Sequence, residues 1–390
     1  MGYQIHFSGR AHAYTEAEIE TVVTAMREAE PLTQGRFLQA FEARFREYAG
    51  VPHAFAVCNA TAALEMAAQL CRFHPGDEVI IPSHTFTATA YPFVKKGAKV
   101  VWADIDPETR VVTSETIGRC LSPRTRAIVV VHLYGYAADM PAIMALARER
   151  GVLVVEDAAQ SLGARVGGRM SGAFGDFGVY SFHSHKNVTT LGEGGMLTLH
   201  DPRMAKLVPM LRHNGHCAFD FPRDDYWIPA MGNVDLPEWE GERLWPNNYC
   251  LGEIECALGA KLLERVEAIN AEKRARAMAF IDGLSDFPEL RFHRVDSDRH
   301  SYHLLAAEMT NGRRNDFIRR MSREKEIQCV VQYYPLNRYD FYRKAGFGEA
   351  NCPQADRFFD NMVSFPFHHW LTEAQLETMM QATRDLLRGL

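Results

Sequence analysis

Val152-Leu153-Val154-Val155-Glu156-Asp157-Ala158-Ala159-Gln160 is the stretch that decides the fold. Four apolar, largely β-branched residues read as a strand buried on both faces, the pattern of a parallel sheet. Two carboxylates and an amide follow at its C-terminal end, where open α/β sheets bind their ligands. Outward from it the same unit repeats. Short apolar runs at 54–58, 78–81, 100–103, 127–133, 178–182 and 196–199 alternate with amphipathic stretches starting near 61, 85, 114 and just after Asp139. This alternation predicts an α/β fold, a mainly parallel sheet with helices on both faces.

One strand further on stands Tyr180-Ser181-Phe182-His183-Ser184-His185-Lys186-Asn187, running to Gly192-Glu193-Gly194-Gly195. Its polar turn holds a single lysine between small and hydrogen-bonding residues. Most loop lysines are surface charges, but Asp157 and Gln160 lie at the end of the strand just before. An amine able to form a Schiff base and an acid able to stabilise a protonated ring nitrogen are the two groups that pyridoxal phosphate chemistry most needs. The turn Cys58-Asn59-Ala60-Thr61-Ala62-Ala63-Leu64 joins a strand to a helix, and free amides at such a helix start favour an anion. Thr61 is equally a routine helix cap. In Pro82-Ser83-His84-Thr85-Phe86-Thr87-Ala88-Thr89, Phe86 offers a ring to stack on a flat cofactor, although taken alone it reads as a core phenylalanine.

Composition bounds the possibilities. The chain has 390 residues, 47% hydrophobic and 24% charged, enough for one large domain and a smaller one. A net charge of -6 and the absence of any basic run with interleaved aromatics argue against nucleic acid. No run of about eighteen apolar residues exists to cross a membrane as a helix, and the N-terminus lacks the apolar core of a signal peptide. Eight cysteines without a C-x-x-C pair read as reduced thiols of a cytoplasmic protein.

Flanking the alternating region, residues 15–28 and 37–48 carry helical spacing. The expected division is an N-terminal segment, 1–50, packing on the small domain; a large cofactor-binding domain, 51–260; and a small α+β domain, 261–390. A helix at 202–212 precedes the irregular stretch 213–248, which contains Trp227, Trp239 and Trp245 and reads as a binding loop or lid. Residues 253–282 read as one long bridging helix. Strands near 302–307 and 327–332 and helices near 314–324 and 372–387 complete the small domain.

Taken in order, these motifs resemble the DegT/DnrJ/EryC1/StrS family of sugar aminotransferases, which have the aspartate aminotransferase-like fold-type I. The resemblance rests on Asn59-Ala60-Thr61-Ala62-Ala63-Leu64, on Pro82-x-x-Thr85-Phe86-x-Ala88-Thr89 and on Glu156-Asp157-Ala158-Ala159-Gln160-x-x-Gly163-Ala164. It continues through Gly175-Asp176-x-x-x-Tyr180-Ser181-Phe182-His183-x-x-Lys186-Asn187 and Gly192-Glu193-Gly194-Gly195. It implies pyridoxal 5'-phosphate (PLP) as cofactor, held by Lys186 as a Schiff base. Lys186 would then shuttle the proton between donor and cofactor. Asp157 would pair with the pyridinium nitrogen, Gln160 would face the phenolic oxygen and Phe86 would stack on the ring. Ser181, Thr61 and the Ala62 amide would take the phosphate.

The resemblance also implies a homodimer with composite sites, in which a partner's asparagine reaches the phosphate; Asn248 matches, with Asn247 one register away. The partners it implies are an amino donor, L-glutamate or L-glutamine, and a carbonyl acceptor that is a sugar, nucleotide-sugar or cyclitol. Cys250 and Leu251 stand where the family pattern has Arg and Met, and Asn337 where it has His, so the departures fall on substrate contacts. His84, Gln34, Arg212 and Arg223 are further candidates for such contacts. A sugar dehydratase of the same fold usually lacks the lysine, and a non-catalytic regulator has no need of Lys186, Asp157 and Gln160 together. A nicotinamide enzyme would need Gly-x-Gly-x-x-Gly after the first strand, and His183 and His185 lack evident companions for zinc.

Overall fold

The computed structural model describes residues 2–7, 10–219 and 232–389. Its central sheet has seven strands: β1 His53–Val57, β2 Glu78–Pro82, β3 Lys99–Ala103, β4 Thr125–Val131, β5 Leu153–Asp157, β6 Phe177–Ser181 and β7 Gly195–Leu199. Across the sheet they lie in the order β1-β7-β6-β5-β4-β2-β3. Only β7 runs against its neighbours β1 and β6, and the remaining pairs are parallel.

Because successive side chains of a strand point to opposite faces, β6 sends Phe177 and Val179 into one hydrophobic cluster and Tyr180 into the other. Helices Ala60–Cys71 and Met140–Arg150 cover the first face. Helices Arg36–Ala49 and Glu253–Leu262 cover the second. Gly35 gives the helix Arg36–Ala49 no side-chain cap, so its first amides need an outside acceptor. Glu253 supplies it, accepting from the amides of Gly35 at 2.8 Å, Phe37 at 2.8 Å and Leu38 at 3.2 Å.

Helices Glu16–Glu28 and Arg36–Ala49 pack chiefly on the helix Glu253–Leu262. They also reach residues beyond it, Arg44 pairing with Glu264 at 2.9 Å and the Tyr48 hydroxyl donating to Glu267 at 2.8 Å, while at the leading end Ile5 joins the C-terminal hydrophobic cluster and the Phe7 amide donates to Gln328 Oε1 at 3.0 Å.

The C-terminal sheet consists of β8 Leu290–Phe292, β9 Leu305–Met309 and β10 Met362–Phe365, all antiparallel. Residues 327–332 make no strand, only isolated bridges from Ile327 to Ile5 and from Val330 to Ser364. The second half of this region is shared with the large core: Leu336, Tyr342 and Phe358 belong to the cluster around the central sheet, and Trp102 Nε1 donates to Phe347 O at 2.7 Å. The long helix is broken into Glu253–Leu262 and Val266–Asp282 by a 3-10 turn. At the break Arg265 leaves helical geometry, with φ -124° and ψ 10°, and its guanidinium meets the buried Glu18 at 2.5 Å.

The described part of 213–248 lies over the helix Ala60–Cys71. Trp239 is buried and donates to Leu70 O at 3.2 Å, and Trp245 exchanges two hydrogen bonds with Gln69. Trp227 and Arg223 fall outside the described residues.

Candidate active site

The C-terminal ends of β1, β2, β5 and β6 surround a cavity of about 500 Å³. Lys186, Asp157, Gln160, Phe86, Thr61 and Ser181 all line it. They come from four separate strand ends, which is how a parallel sheet gathers distant residues at one edge.

Lys186 sits on the turn between β6 and β7, where its own amide donates to His183 O at 2.8 Å. Its side chain is half-buried. Burial lowers the amine from its usual 10.5 to about 8, against the upward pull of the Asp157 carboxylate. Roughly a tenth of the amine is therefore neutral and nucleophilic at one unit below that value.

Asp157, the last residue of β5, is held in one orientation. Thr89 Oγ1 donates to its Oδ2 at 2.8 Å and the Ala159 amide to its Oδ1 at 3.2 Å. Gln160 is fixed as well: the Tyr134 amide donates to its Oε1 at 2.8 Å, and its Nε2 donates to the Tyr333 hydroxyl at 3.4 Å. Phe86 is 52% exposed and meets the Tyr333 ring edge-on at 5.9 Å. It is a cavity wall, not a core residue.

At the helix start, Asn59, Ala60 and Thr61 line the cavity together with Ser181. Asn59 caps the helix by accepting from the Ala62 amide at 2.9 Å, so that amide is engaged inside the first turn and Ala62 does not reach the cavity wall. Gly195 lets β7 begin against this corner: a Cβ there would lie 2.5 Å from the Asn59 carbonyl carbon.

Two of the weaker candidates are internal. Arg212 is buried and bonds Glu42 at 2.5 Å, Ala56 O at 2.7 Å and Gln34 Oε1 at 3.2 Å, whereas Gln34 is half-buried and its Nε2 has no hydrogen-bond partner among the described residues. His84 lies behind the cavity, its Nε2 accepting from the Tyr333 amide at 3.0 Å, and burial lowers its pKa to about 4. Asn248 is exposed and does not line the cavity of its own chain.

The sequence reading missed Phe7, His303, Leu304, Gln332 and Tyr333, which complete the wall. His303 is 4% exposed, its Nδ1 has no hydrogen-bond partner, and burial with Lys186 and Lys273 nearby holds its pKa well below the usual value. The aromatic-rich run Val331-Gln332-Tyr333-Tyr334 was the one available signal for Tyr333, and it reads equally as a strand.

A seven-stranded sheet with one antiparallel strand, a lysine on the turn before that strand and a carboxylate at the end of β5 define the class: a fold-type I PLP-dependent aminotransferase. The DegT/DnrJ/EryC1/StrS aminotransferase family model matches residues 13–384, and the chain belongs to that family. It is 31% identical over 373 residues to the spore coat polysaccharide biosynthesis protein SpsC of Bacillus subtilis, covering 94% of each chain. It is 30% identical to the UDP-N-acetyl-3-dehydro-alpha-D-glucosamine 3-aminotransferase of Acidithiobacillus ferrooxidans, covering 97% of each. Among solved structures, Spr1654 from Streptococcus pneumoniae in its PMP form superposes with a TM-score of 0.87 at 25% identity, covering 98% of this chain and 99% of that one.

Proposed function

We propose that this enzyme moves an amino group from L-glutamate or L-glutamine to a keto or aldehyde group on a sugar, nucleotide-linked sugar or cyclitol, in a ping-pong cycle. The observation that carries this reading is the convergence of Lys186, Asp157 and Gln160 on one cavity of about 500 Å³, with a helix start and the Ser181 hydroxyl at its edge. The donor set fits PLP: an amine, a carboxylate, an amide, an aromatic face and an anion corner. The names of SpsC and of the 3-aminotransferase relative support a carbohydrate acceptor.

Bound PLP supplies an aldehyde that condenses with amines and a ring that withdraws electrons from the bond being deprotonated. The protein's part is holding and proton transfer. Lys186 Nζ would hold the cofactor covalently and, once free, would take the proton from the donor's α-carbon and give one back. Asp157, its orientation fixed by Thr89 and Ala159, would pair with the ring nitrogen. Gln160 would face the phenolic oxygen, Phe86 would cover the ring, and Thr61 and Ser181 would take the phosphate. The dehydratase reading loses ground because Lys186 is present and faces the cavity.

The test is spectroscopic. Adding L-glutamate or L-glutamine to the loaded enzyme is expected to replace the visible band with the near-ultraviolet band of the amine form, and a keto-sugar is expected to restore it. A loaded enzyme that responds to neither donor would overturn the assignment.

We also place the enzyme in the cytoplasm as a homodimer with shared sites. All eight cysteines are free thiols, and no helix among the described residues is long and apolar enough to cross a membrane. Asn248 is exposed and outside its own cavity, where it is available to complete a neighbour's phosphate corner. Mixing inactive K186A with inactive N248A is expected to restore activity, because one site of each mixed dimer then has both residues intact; activity that stays absent in mixtures that have exchanged subunits would refute the shared site.

A further inference from the structure

Lys273 lies on the helix Val266–Asp282 and is only 2% exposed. Among the described residues no carboxylate lies within ion-pair distance of it, although burying an ammonium group without one is costly. The titratable groups that face it are His12, His300, His303 and His368, none of them acidic. Its Nζ makes two hydrogen bonds, to Asn187 Oδ1 at 2.9 Å and to His303 O at 3.2 Å. Asn187 is the residue directly after Lys186.

The amide of Asn187 is fully used. Its Oδ1 takes Lys273, and its Nδ2 donates to Asn270 Oδ1 at 2.8 Å and to Ser301 O at 2.9 Å. Ser301 Oγ in turn donates to Gln160 O at 3.2 Å, and Asn270 Nδ2 to Leu162 O at 2.8 Å. One buried network thus ties the residue after Lys186, and Gln160 with the chain just after it, to the helix of Lys273 and to the segment of His303. A Met of similar length would fill the volume of Lys273 without the desolvation cost. What it would not provide is a donor to Asn187.

We propose that Lys273 is a positioning residue for Lys186: through Asn187 it holds the turn that keeps the Lys186 amine inside the cavity. Loss of either member lets the turn relax toward solvent, and the Lys186 amine returns toward its ordinary basicity. Burial lowers the pKa of Lys273 itself to about 7, so near pH 8 it is mostly a neutral amine, which still donates to Asn187 Oδ1.

The inference rests on the proposed role of Lys186, but its test needs neither cofactor nor substrate. In cofactor-free protein, the pH profile of Lys186 acetylation by a brief acetic anhydride pulse is read by mass spectrometry of the peptide that carries it. The wild-type midpoint is expected near 8. Lys273→Met is expected to move it up by about one unit, so that labelling near neutral pH falls about tenfold. Asn187→Ala, which leaves Lys273 in place, is expected to move it the same way and keeps the proposal testable where Lys273→Met does not fold. A folded variant of either kind whose Lys186 profile superposes on the wild type, even with a lower melting temperature, overturns the proposal and leaves Lys273 a structural residue.

Discussion

Lys186→Ala abolishes transamination and removes the visible band that depends on the lysine link, while the protein still folds. Two functions are lost together: the covalent anchor that presents the cofactor already activated, and the base that moves the proton. A positioned acid–base group alone is worth about 10²–10⁴-fold. Losing the anchor adds to that, so turnover is expected to fall at least about 10⁴-fold in a steady-state assay with saturating PLP. Stability goes the other way. The amine's folded pKa, about 8, is below its usual 10.5, so the native state resists the charged form. That penalty is fully present below pH 8 and is relieved as pH rises from 8 through 10.5. Removing the amine therefore leaves a cofactor-free protein that, at neutral pH, melts no lower than the wild type. A folded Lys186→Ala enzyme retaining more than about a hundredth of wild-type turnover, well above the residue expected from this estimate, contradicts the assigned role.

What the sequence shows and what it hides divides along local and non-local lines. Strands β1 to β7 were legible because each is a short apolar run bounded by polar turns, and β5 announces its exposed end by the abrupt change from Val155 to Glu156 and Asp157. Lys186, Asp157, Gln160, Thr61 and Ser181 each lie at or just past the end of a strand that local pattern identifies, so their arrival at one edge follows from topology. Phe7, His303 and Tyr333 reach the same cavity from segments with no repeating unit, and nothing within a few residues of them encodes that convergence. Arg212 and His84 show the same divide. A polar residue after a strand has the same sequence appearance whether it turns into a cavity or into the core. Arg212 turns inward because Glu42 and the Ala56 carbonyl are there to meet it, and both are more than 150 positions away. His84 is taken up by the backbone of Tyr333, 249 positions on.

The lysine shared this edge with Asp157, and the second large effect lies there. Asp157→Ala is expected to leave the cofactor attached through Lys186 and the phosphate corner while lowering turnover by about 10²–10⁴-fold. The figure follows from the cost of leaving one member of a buried charged pair without its partner, about 3–5 kcal/mol, at about 1.4 kcal/mol per tenfold in rate. The loss should fall on turnover more than on the apparent affinity for donor, because the carboxylate is asked to act on the ring when electrons flow into it, not on the substrate's own groups. Asp157→Asn separates charge from shape. Asn keeps the volume and both contacts, its Oδ1 accepting from the Ala159 amide and its Nδ2 donating to the Thr89 hydroxyl, which can pass its own proton to Thr85. What it lacks is the charge, so it is expected to lose turnover nearly as far as Asp157→Ala although its packing is closer to the wild type's. The measurement is single-turnover conversion with donor alone, followed at the visible band, which isolates the first half-reaction from any fault in acceptor binding. If Asp157→Asn converts at a rate near the wild type's, the carboxylate's charge is not used by the ring, and Asp157 is a packing partner of Thr89 at the end of β5.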